Sequence, residues 1–447
     1  VVITISLFLN LLLKLNDKIT TEVPDYGGTI VEGVIGSPKF INPLIATSET
    51  DKTLVNLIYA PLINYSEEDS LVLAKECIED TDGKSYQCTL KPNLMFSDKT
   101  PLTSADIVFT FTTKRSIALA KDPLSVWANI SVQALNKDSI VIKTTGDSSD
   151  LKESLSLRII PKVHFENIPI ESIENSNLNM SPVGSGAFKI SDIKYTNSLP
   201  TEVVLVPNRH FYESKPFLNK LVIHSYTNQL DLASALHNKE IESTTALKND
   251  RIDATIKRDF SISTIASTKT VALFINQSQV GTNLYQRLST ISNNIDKKVI
   301  LDNIENGYGI PLYSKETTRS DDSIKTEASV PISIAVQKED DLVKTANILS
   351  ALLQDFGIIS TVQVFDQGPF VDQIHLGQYS FILMATEKAI VGYQSLIPLY
   401  TKSFAHISSH DVHTVVPSTM YSQSESTEKA RLWYKRTDRV WNWFTHK

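Results

Sequence analysis

The chain has 447 residues, which is too long for one ordinary hydrophobic core and indicates two or three domain-sized units. Its composition is that of a globular protein, with a net charge of −7 and a pI of about 5.8. Acidic and basic residues are interspersed, and no basic stripe could neutralise a run of phosphates, so nucleic acid is excluded as an expected partner.

The chain begins with an apolar run over residues 1–13, which residues 14–18 stop with lysine, asparagine and aspartate. This run is short for a membrane span, which needs roughly 20 residues, but it suits the apolar region of a secretory signal. We therefore expect an export signal or a clipped membrane anchor, with a buried N-terminal strand or helix as the alternative. The body of the protein is then expected outside the cytoplasm.

Two elements are predicted soon after this segment. Residues 29–33 alternate between apolar and polar side chains, which predicts a strand, and residues 53–59 (TLVNLIY) have apolar side chains at helical spacing.

The two cysteines, Cys77 and Cys88, flank an Asp82-Gly83 pair that predicts a tight hairpin turn. A turn centred there pairs residues whose numbers sum to 165, so the cysteines face each other across two antiparallel strands. An oxidising compartment would permit a disulfide. Counting from a two-residue turn, however, puts this pair at a hydrogen-bonded site, where the strands stand further apart. A disulfide and two half-buried free thiols both stay open.

The middle of the chain mixes helices and strands. Thr103, with Asp106 three residues later, has the pattern of a helix N-terminus. Strands are predicted over residues 203–207 and 220–226, and a helix over residues 230–236.

The last part of the chain repeats the order strand, helix, strand. Strands are predicted over residues 271–277, 332–336 and 361–365, with helices over residues 284–303 and 340–353 between them. This order predicts a parallel α/β unit.

Motifs that carry catalysis are missing from the sequence. It contains neither a phosphate-binding glycine loop nor a Gly-x-Ser-x-Gly elbow. His406, His410 and His413 match no standard zinc spacing, and we interpret their segment as an extended, solvated loop. We therefore predict a binding protein and not an enzyme, with no catalytic residue, metal or cofactor.

Several motifs occur in an order that resembles one protein family. They are Asn42-Pro43 followed by Pro61-Leu62; Asp82-Gly83-Lys84 followed by FSDKTPLT at 96–103; SPVGSGAFKI at 181–190; the run at 208–226; and VALFINQ at 271–277 with the run at 295–311. The order and content resemble family 5 of the solute-binding proteins of ABC transporters, the oligopeptide, dipeptide and nickel type. Lys99 stands where the family usually has glycine, and Ala187-Phe188 where it has Pro-Tyr. Residues 432–441 also resemble the tail of members that keep an N-terminal anchor.

The resemblance implies a mixed α/β protein with the two-lobed fold of periplasmic binding proteins, of the large peptide-binding class (type II). The implied divisions are residues 1–26 for the signal or anchor and linker; 27–45, 158–258 and 396–447 for lobe I; 46–157 for a strand-rich subdomain inserted in lobe I; and 259–395 for lobe II.

The same resemblance implies a function. The chain would be the extracytoplasmic, monomeric binding component of an ABC importer, would capture peptides, and would deliver them to a permease and ATPase on other chains. Alternatives are a binder or sensor of another small solute, such as a nickel chelate or a sugar, and an exported scaffold with a degenerate cleft.

The sequence departs from the family in lobe II. The strand at residues 379–385 runs almost directly into the segment that returns to lobe I, without the stretch that in relatives supplies an acidic partner for the peptide amine. Glu387 is the nearby carboxylate. Candidate ligand contacts are Asn42, Thr47, Ser48, Asn276 and Gln277, with Asn42 and Asn276 serving turns as the alternative. Tyr393 and Trp127 are candidate cleft aromatics, and a core role is favoured for Trp127.

Overall fold

The structure is a computed structural model that describes residues 20–64, 70–123, 125–276, 282–292, 294–304, 309–312, 332–377, 379–386, 393–420 and 422–441. The strands are β1 Thr20–Asp25, β2 Thr29–Ile35, β3 Ile63–Asn64, β4 Ser70–Leu71, β5 Ala74–Glu79, β6 Ser85–Leu90, β7 Ile130–Asn136, β8 Ser139–Thr144, β9 Phe188–Thr196, β10 Leu199–Pro207, β11 Lys220–Tyr226, β12 Ser243–Thr244, β13 Phe260–Asn276, β14 Ile310–Pro311, β15 Ile332–Gln337, β16 Ser360–Phe365, β17 Phe381–Thr386, β18 Tyr393–Ser409, β19 Thr419–Met420 and β20 Arg436–Trp441.

The α-helices are α1 Glu49–Ile58, α2 Ser104–Lys121, α3 Ser148–Ser154, α4 Lys162–Phe165, α5 Gln229–His237, α6 Ala254–Asp259, α7 Thr282–Ile291, α8 Lys297–Ile304, α9 Asp340–Asp355 and α10 Gln367–Leu376. Short 3-10 helices occupy Val126–Asn129, Ile170–Asn175, Asn177–Asn179, Asn249–Arg251, Gln423–Thr427 and Ala430–Leu432. None of the described helices is long and apolar enough to cross a membrane.

Twelve of the described strands form one large sheet in the order β16-β15-β17-β13-β18-β12-β2-β11-β10-β9, with β14 beside β18 and β19 beside β13. At one end, β15 is parallel to both β16 and β17. At the other end, β2 is parallel to both β11 and β12. The sheet therefore has two halves, each with its own parallel strands.

The two halves are connected by β13 and β18, which are 17 residues long and antiparallel to each other. One end of β13 pairs with β17, and the opposite end of the β13–β18 ribbon pairs with β12. The register breaks between the pair Ala266–Ser403 and the pair Thr270–Thr401. Three residues of β13, Ser267 to Lys269, thus lie opposite Lys402, which makes a bulge between the halves.

Separate hydrophobic cores support these regions. One core contains buried side chains between Val271 and Tyr400, including α9, and fills the half with β15. A second includes Ile30, Val203 and Trp433 around β2, β10 and α1. A third lies between Ala60 and Ile159 and packs on the four-stranded sheet β5-β6-β8-β7. The predicted domain boundaries stay a prediction, since these cores do not define the exact residues at which a domain begins or ends.

The Cys77–Cys88 disulfide is present, and the predicted register of the β5–β6 hairpin is confirmed. The expected hydrogen-bonded position of this pair is wrong. The Asp80 N–H donates to the Ser85 carbonyl at 2.9 Å, so four residues form the loop and not two. Because hydrogen-bonded and non-hydrogen-bonded pairs alternate, the cysteines occupy a non-hydrogen-bonded site, where their Cα atoms are 4.1 Å apart.

Most of the predicted elements are confirmed with extended boundaries. At the start of α2, the Asp106 carboxylate accepts hydrogen bonds from the Thr103 N–H at 2.8 Å and from its hydroxyl at 3.1 Å. The single helix predicted over residues 284–303 is wrong, because α7 ends at Ile291 and α8 begins at Lys297. Polar side chains interrupt it: Asp296 accepts from the Lys298 N–H at 3.0 Å, a local bond that competes with helix continuation. The N-terminal apolar run lies outside the described residues.

Candidate ligand-binding cleft

Three adjoining cavities lie in the described part of the chain: the two larger ones are lined from both halves of the sheet, and the smallest from the half that contains β2. Their volumes are about 20, 220 and 460 Å³. Gln423 lines all three, Thr245 lines the first two, and Lys402 with Phe404 lines the last two. Together they form one cleft, which we call the inter-half cleft.

The position of the cleft follows from the sheet. The smallest cavity is lined by residues 32–35 at the carboxyl end of β2 and by Thr245, directly after the parallel strand β12. In open α/β sheets, ligands bind outside the carboxyl ends of parallel strands where the strand order reverses. The cleft also borders the β13–β18 bulge, since Ser267, Lys269 and Lys402 line its largest cavity.

Lys402 connects the bulge to the half of the sheet that contains β15. Its ammonium group lies 3.7 Å from the Glu339 carboxylate and 3.6 Å from the Asp341 carboxylate, at the start of α9. Acidic side chains at this helix end are favourable because the N-terminus of a helix is electropositive. The cation therefore lies at the floor of the cleft with its charge balanced from that half.

Helix α1 brings a carboxylate to the cleft from the other half. Ser48 caps the helix by accepting from the Asp51 N–H at 3.1 Å. The Glu49 carboxylate accepts from the Ser424 N–H at 3.1 Å and from Lys52 at 3.1 Å. Glu49 lines two of the three cavities with both of its oxygens engaged.

The other end of α1 is held by the Pro-Val-Gly-Ser-Gly motif. A Cβ atom on Gly184 would lie 2.1 Å from the Ile58 carbonyl oxygen, and one on Gly186 would lie 2.6 Å from the Ile58 carbonyl carbon. The Gly186 N–H donates to that carbonyl oxygen at 2.7 Å. These glycines permit the close approach of a loop to the end of α1, which is a structural role.

Glu32 is the least expected residue in the cleft. It lies in the middle of the apolar strand β2, on the same face as the buried Ile30 and Val34, and is 2% exposed. Among the described residues its Oε2 atom has no hydrogen-bond partner. Burial raises the pKa of Glu32 to about 8, and hydrogen bonds with the Ser243 side chain and the Thr245 backbone lower it less.

His406 lies behind the cleft on β18 and is 1% exposed, so the solvated loop predicted for its segment is wrong at this residue. Its ring nitrogens lie 2.8 Å from the Thr245 hydroxyl and 2.8 Å from the Thr414 hydroxyl. Burial lowers its pKa to about 4. The alternating β18 strand places His406 inward, which the polar composition of the segment concealed. Among the described residues, no cluster of His, Cys, Asp or Glu could hold a metal ion.

A further cavity, of about 300 Å³, lies away from the cleft beside the inserted sheet. Its floor is Arg158, which donates to the Asn56 side chain at 2.8 Å, the Tyr59 carbonyl at 2.7 Å and Glu428 at 3.1 Å. The other Glu428 oxygen accepts from Asn64 at 3.0 Å. The arginine side chain is 12% exposed. We call this arrangement the Arg158 network.

The predicted contacts of the first loop have different surroundings. Asn42 is fully buried; its side chain donates to Asn179 at 3.0 Å and accepts from the Leu44 N–H at 3.0 Å. It therefore serves the turn, the alternative that the sequence left open. Thr47 and Ser48 are exposed immediately before Glu49, at the rim of the cleft.

The other predicted contacts lie at the far end of the β13–β18 ribbon, against the third core or outside the described residues. Asn276 is 7% exposed and pairs with Tyr393 in the ladder, and its N–H donates to the Ser380 carbonyl at 2.9 Å. Gln277 and Glu387 lie outside the described residues. Trp127 lies against the third core, with its ring 6.0 Å from that of Phe111.

Sequence reasoning missed Glu32, Thr245, Lys402 and Gln423. For Glu32 the signal was present, since a glutamate at an inward position of an apolar strand is costly unless it has a role. The other three are ordinary polar residues whose placement depends on pairing between distant segments.

A comparison with known protein families identifies the class of protein to which this fold and cleft belong. Residues 70–318, more than half of the chain, match the family described as bacterial extracellular solute-binding proteins, family 5 Middle. The chain belongs to this family, whose members are extracytoplasmic solute-binding proteins and not enzymes.

Two relatives by sequence support this assignment. The oligopeptide-binding protein AppA of Bacillus subtilis is 29% identical over 206 residues, 44% of this chain and 36% of AppA. The probable D,D-dipeptide-binding periplasmic protein DdpA of Escherichia coli is 21% identical over 293 residues, 63% of this chain and 55% of DdpA. The matches thus span about a third to a half of the length of these relatives.

Solved structures share the fold over most of the chain. The substrate-binding protein CtaP of Listeria monocytogenes has a TM-score of 0.72 at 17% identity, covering 92% of this chain and 100% of CtaP. AppA of Bacillus subtilis, in complex with a nonapeptide, has a TM-score of 0.61 at 16% identity, covering 93% of this chain and 100% of that one. The predicted two-lobed, mixed α/β fold is confirmed.

Proposed function

We propose that this chain captures peptides in the inter-half cleft and delivers them to the permease and ATPase of an ABC importer. The observation that carries the proposal is the cleft itself, which lies between the two halves of the sheet and is lined from both. Family membership supports it, because solute capture outside the cytoplasm is what the family name describes.

A peptide fits the chemistry of the cleft. Hydroxyl and amide groups of Thr245, Asn249, Ser422 and Gln423 line it and can bond to a peptide backbone without reading its sequence. Among the structural relatives, AppA of Bacillus subtilis holds a nonapeptide, and DppA of Helicobacter pylori holds the peptide STSA.

Closure of the two lobes belongs to this proposal. The bulge of three residues opposite Lys402 interrupts the ladder where the ribbon passes between the halves. Hinges of this type absorb large changes of φ and ψ over a few residues. The lobes would close about Ser267 to Lys269, with the ligand between them.

Individual contacts follow as part of the proposal. Thr47 and Ser48 would offer hydroxyl groups at the rim, and Gln277 and Tyr393 would contact the ligand from lobe II. Asn42 and Asn276 would act by holding the backbone near the ligand. Lobe I would comprise residues 27–45, 158–258 and 396–447, with 46–157 inserted, and lobe II residues 259–395.

The location of the protein is also proposed. Residues 1–13 would direct export or anchor the protein to the membrane, and a monomeric body would work outside the cytoplasm. The disulfide is consistent with an oxidising compartment.

A thermal-unfolding screen tests the peptide proposal. An equimolar mixture of synthetic tri- to pentapeptides at 100 times the dissociation constant should stabilise the protein by about 2.7 kcal/mol. Gln423→Trp, which fills the centre of the cleft, should abolish the shift. Gln133→Trp, on the exposed face of β7, is the matched control and should retain it.

The alternatives have their own outcomes in this screen. A shift with a nickel–histidine complex and none with peptides would favour a metal-chelate binder, as in NikZ of Campylobacter jejuni, whose structure holds Ni(L-His). The absence of any shift would favour an exported scaffold.

A further inference from the structure

A buried histidine lies directly behind the inter-half cleft and connects two threonines. His406 is 1% exposed on β18. Its Nδ1 atom lies 2.8 Å from the Thr245 hydroxyl, and its Nε2 atom lies 2.8 Å from the Thr414 hydroxyl. Thr245 lines the two smaller cavities of the cleft. We call these three residues the histidine relay, and its Thr245 end borders the cleft.

The backbone around Thr245 is fixed by the residue before it. The Thr244 hydroxyl donates to the Gly33 carbonyl at 2.7 Å and accepts from the Ala246 N–H at 3.0 Å. Thr245 itself is 3% exposed, and its β-branched side chain has few allowed rotamers. Because the backbone is held in place, the bond to His406 determines the direction of the Thr245 hydroxyl group.

The ring of His406 is neutral at neutral pH, since burial lowers its pKa to about 4. A neutral imidazole has one N–H donor and one acceptor nitrogen, whereas a hydroxyl group can both donate and accept. One threonine of the relay therefore accepts from the ring, and the other donates to it. The two neutral tautomers of the ring interchange these roles.

Each tautomer leaves a different group of Thr245 available to the cleft. With the proton on Nδ1, the ring donates to the Thr245 oxygen, and the Thr245 O–H can donate to a ligand. With the proton on Nε2, the Thr245 O–H donates to the ring, and the Thr245 oxygen can accept from a ligand. Neither tautomer changes the net charge of the site.

We propose that His406 is a positioning residue of the cleft, which orients the Thr245 hydroxyl and, by exchanging tautomers, lets it bond to either a carbonyl or an N–H of the ligand. This inference rests on the proposed peptide function and adds to it one mechanism of sequence-independent capture. A peptide backbone carries a donor and an acceptor at each residue other than proline. The contact with Thr245 thus forms whichever of the two groups lies opposite it.

The ring of His406 also packs beside the buried Trp433, with 5.9 Å between the ring centroids. A pair of variants separates this packing from the hydrogen bond to Thr245, because both remove the ring. His406→Asn keeps an amide group near the position of Nδ1, on the Thr245 side. His406→Gln keeps one near the position of Nε2, on the Thr414 side.

The first experiment measures the affinity of these proteins for a mixture of synthetic tripeptides by isothermal titration calorimetry. We expect His406→Gln to weaken binding by at least about tenfold and His406→Asn by less than about threefold, because only the asparagine can still bond to Thr245. His237→Gln, which removes an exposed histidine 2.9 Å from Asp253, is the control and should bind as the wild type does. Equal affinities of the Asn and Gln variants would show that the ring only packs, and would overturn the inference.

The second experiment observes the ring nitrogens directly, by nitrogen NMR of isotope-labelled histidine. Protonated and unprotonated nitrogens of a neutral ring have different chemical shifts, and the signals missing from His406→Asn identify His406. Adding the tripeptides should change the proportion of the two tautomers in the wild type and in Thr245→Ser, but not in Thr245→Val. Peptide binding without such a change in the wild type would overturn the inference and leave peptide capture standing.

The ligand-free spectra keep the two proposals apart. Thr245→Val should shift the ring nitrogens of His406 relative to the wild type, and Thr245→Ser should not, because serine keeps the hydroxyl group. If no peptide binds but this difference is present, peptide capture fails and the positioning contact stands. Identical ring-nitrogen signals in all three proteins would refute the positioning role whatever the peptides do.

Discussion

Arg158 and Glu32 are both buried ionisable side chains that line cavities, but their surroundings differ. Arg158 donates to three acceptors, and its partner Glu428 is bonded in turn by Asn64. Glu32 has an oxygen without a partner in the described structure.

This difference in hydrogen-bond partners means that the two buried groups affect stability in different ways. In a completed network every polar atom already has a partner, so none is available to a ligand. Removing one member leaves its partners buried without compensation for their lost hydration. A buried polar group that lacks a hydrogen-bond partner lowers the stability of the fold. We therefore expect substitutions in the two regions to change stability in opposite directions.

The largest expected effect is at the Arg158 network. Arg158→Leu should lower the free energy of unfolding by about 3–5 kcal/mol, because it leaves Glu428 buried without its cation. Urea denaturation measures the change. Arg251→Leu removes an exposed arginine 3.9 Å from Asp250 and is the control, with a change within about 0.5 kcal/mol. A similar small loss of unfolding free energy in both variants would show that the Arg158 network stabilises the fold no more than an exposed ion pair does.

The disulfide of the β5–β6 hairpin should have the next largest effect. Cys77→Ser with Cys88→Ser should cost about 3 kcal/mol, since the bond closes a short loop in the unfolded chain. Chemical denaturation of the variant and of the reduced wild type should agree. Ligand-induced stabilisation should be retained, because the hairpin lies away from the cleft, and its loss would show that the inserted sheet takes part in binding.

Glu32→Gln should raise the free energy of unfolding, and the size of this gain should depend on pH. Below pH 4.5 Glu32 is protonated in both the folded and the unfolded chain. As pH rises toward 8 the unfolded chain ionises while the folded one keeps its proton, so the wild type loses stability. The variant should therefore gain more than about 2 kcal/mol over the wild type at pH 8 and nothing at pH 4.

Urea denaturation at pH 4, 6 and 8 measures this difference. His406 acts in the other direction, because its lowered pKa makes stability fall as pH drops from 6.5 toward 4. That effect is common to both proteins and cancels on subtraction. A difference that does not vary with pH would contradict the raised pKa of Glu32.

The smallest effect is expected at Lys402. Its ion pairs are 3.6 to 3.7 Å long and half open to solvent on the Glu339 side, so Lys402→Met should cost less than about 1 kcal/mol. Lys338→Met, which removes an exposed pair with Asp366, is the control and should cost nothing measurable. Thermal unfolding compares them, and a loss above 2 kcal/mol at Lys402 would place it with Arg158 as a structural charge.

The sequence predicted those features of the fold that depend on residues close together in the chain, such as turns and helix caps. The Asp82-Gly83 turn set the register of Cys77 and Cys88, and the Thr103 cap set the start of α2. The surroundings of Glu32 were out of reach, because they come from β12, more than 200 positions away along the chain. The Ile291 helix end was missed since apolar spacing continued across the polar break.

The contact of the glycine motif with α1 has a consequence at the opposite end of the helix. Ten residues of α helix span about 15 Å, with Ile58 against Gly184 at one end and Glu49 in the cleft at the other. A methyl group at Gly184 would collide with the Ile58 carbonyl oxygen, so the helix that places Glu49 in the cleft would have to shift. Specificity could thus be altered from a position that never touches the ligand.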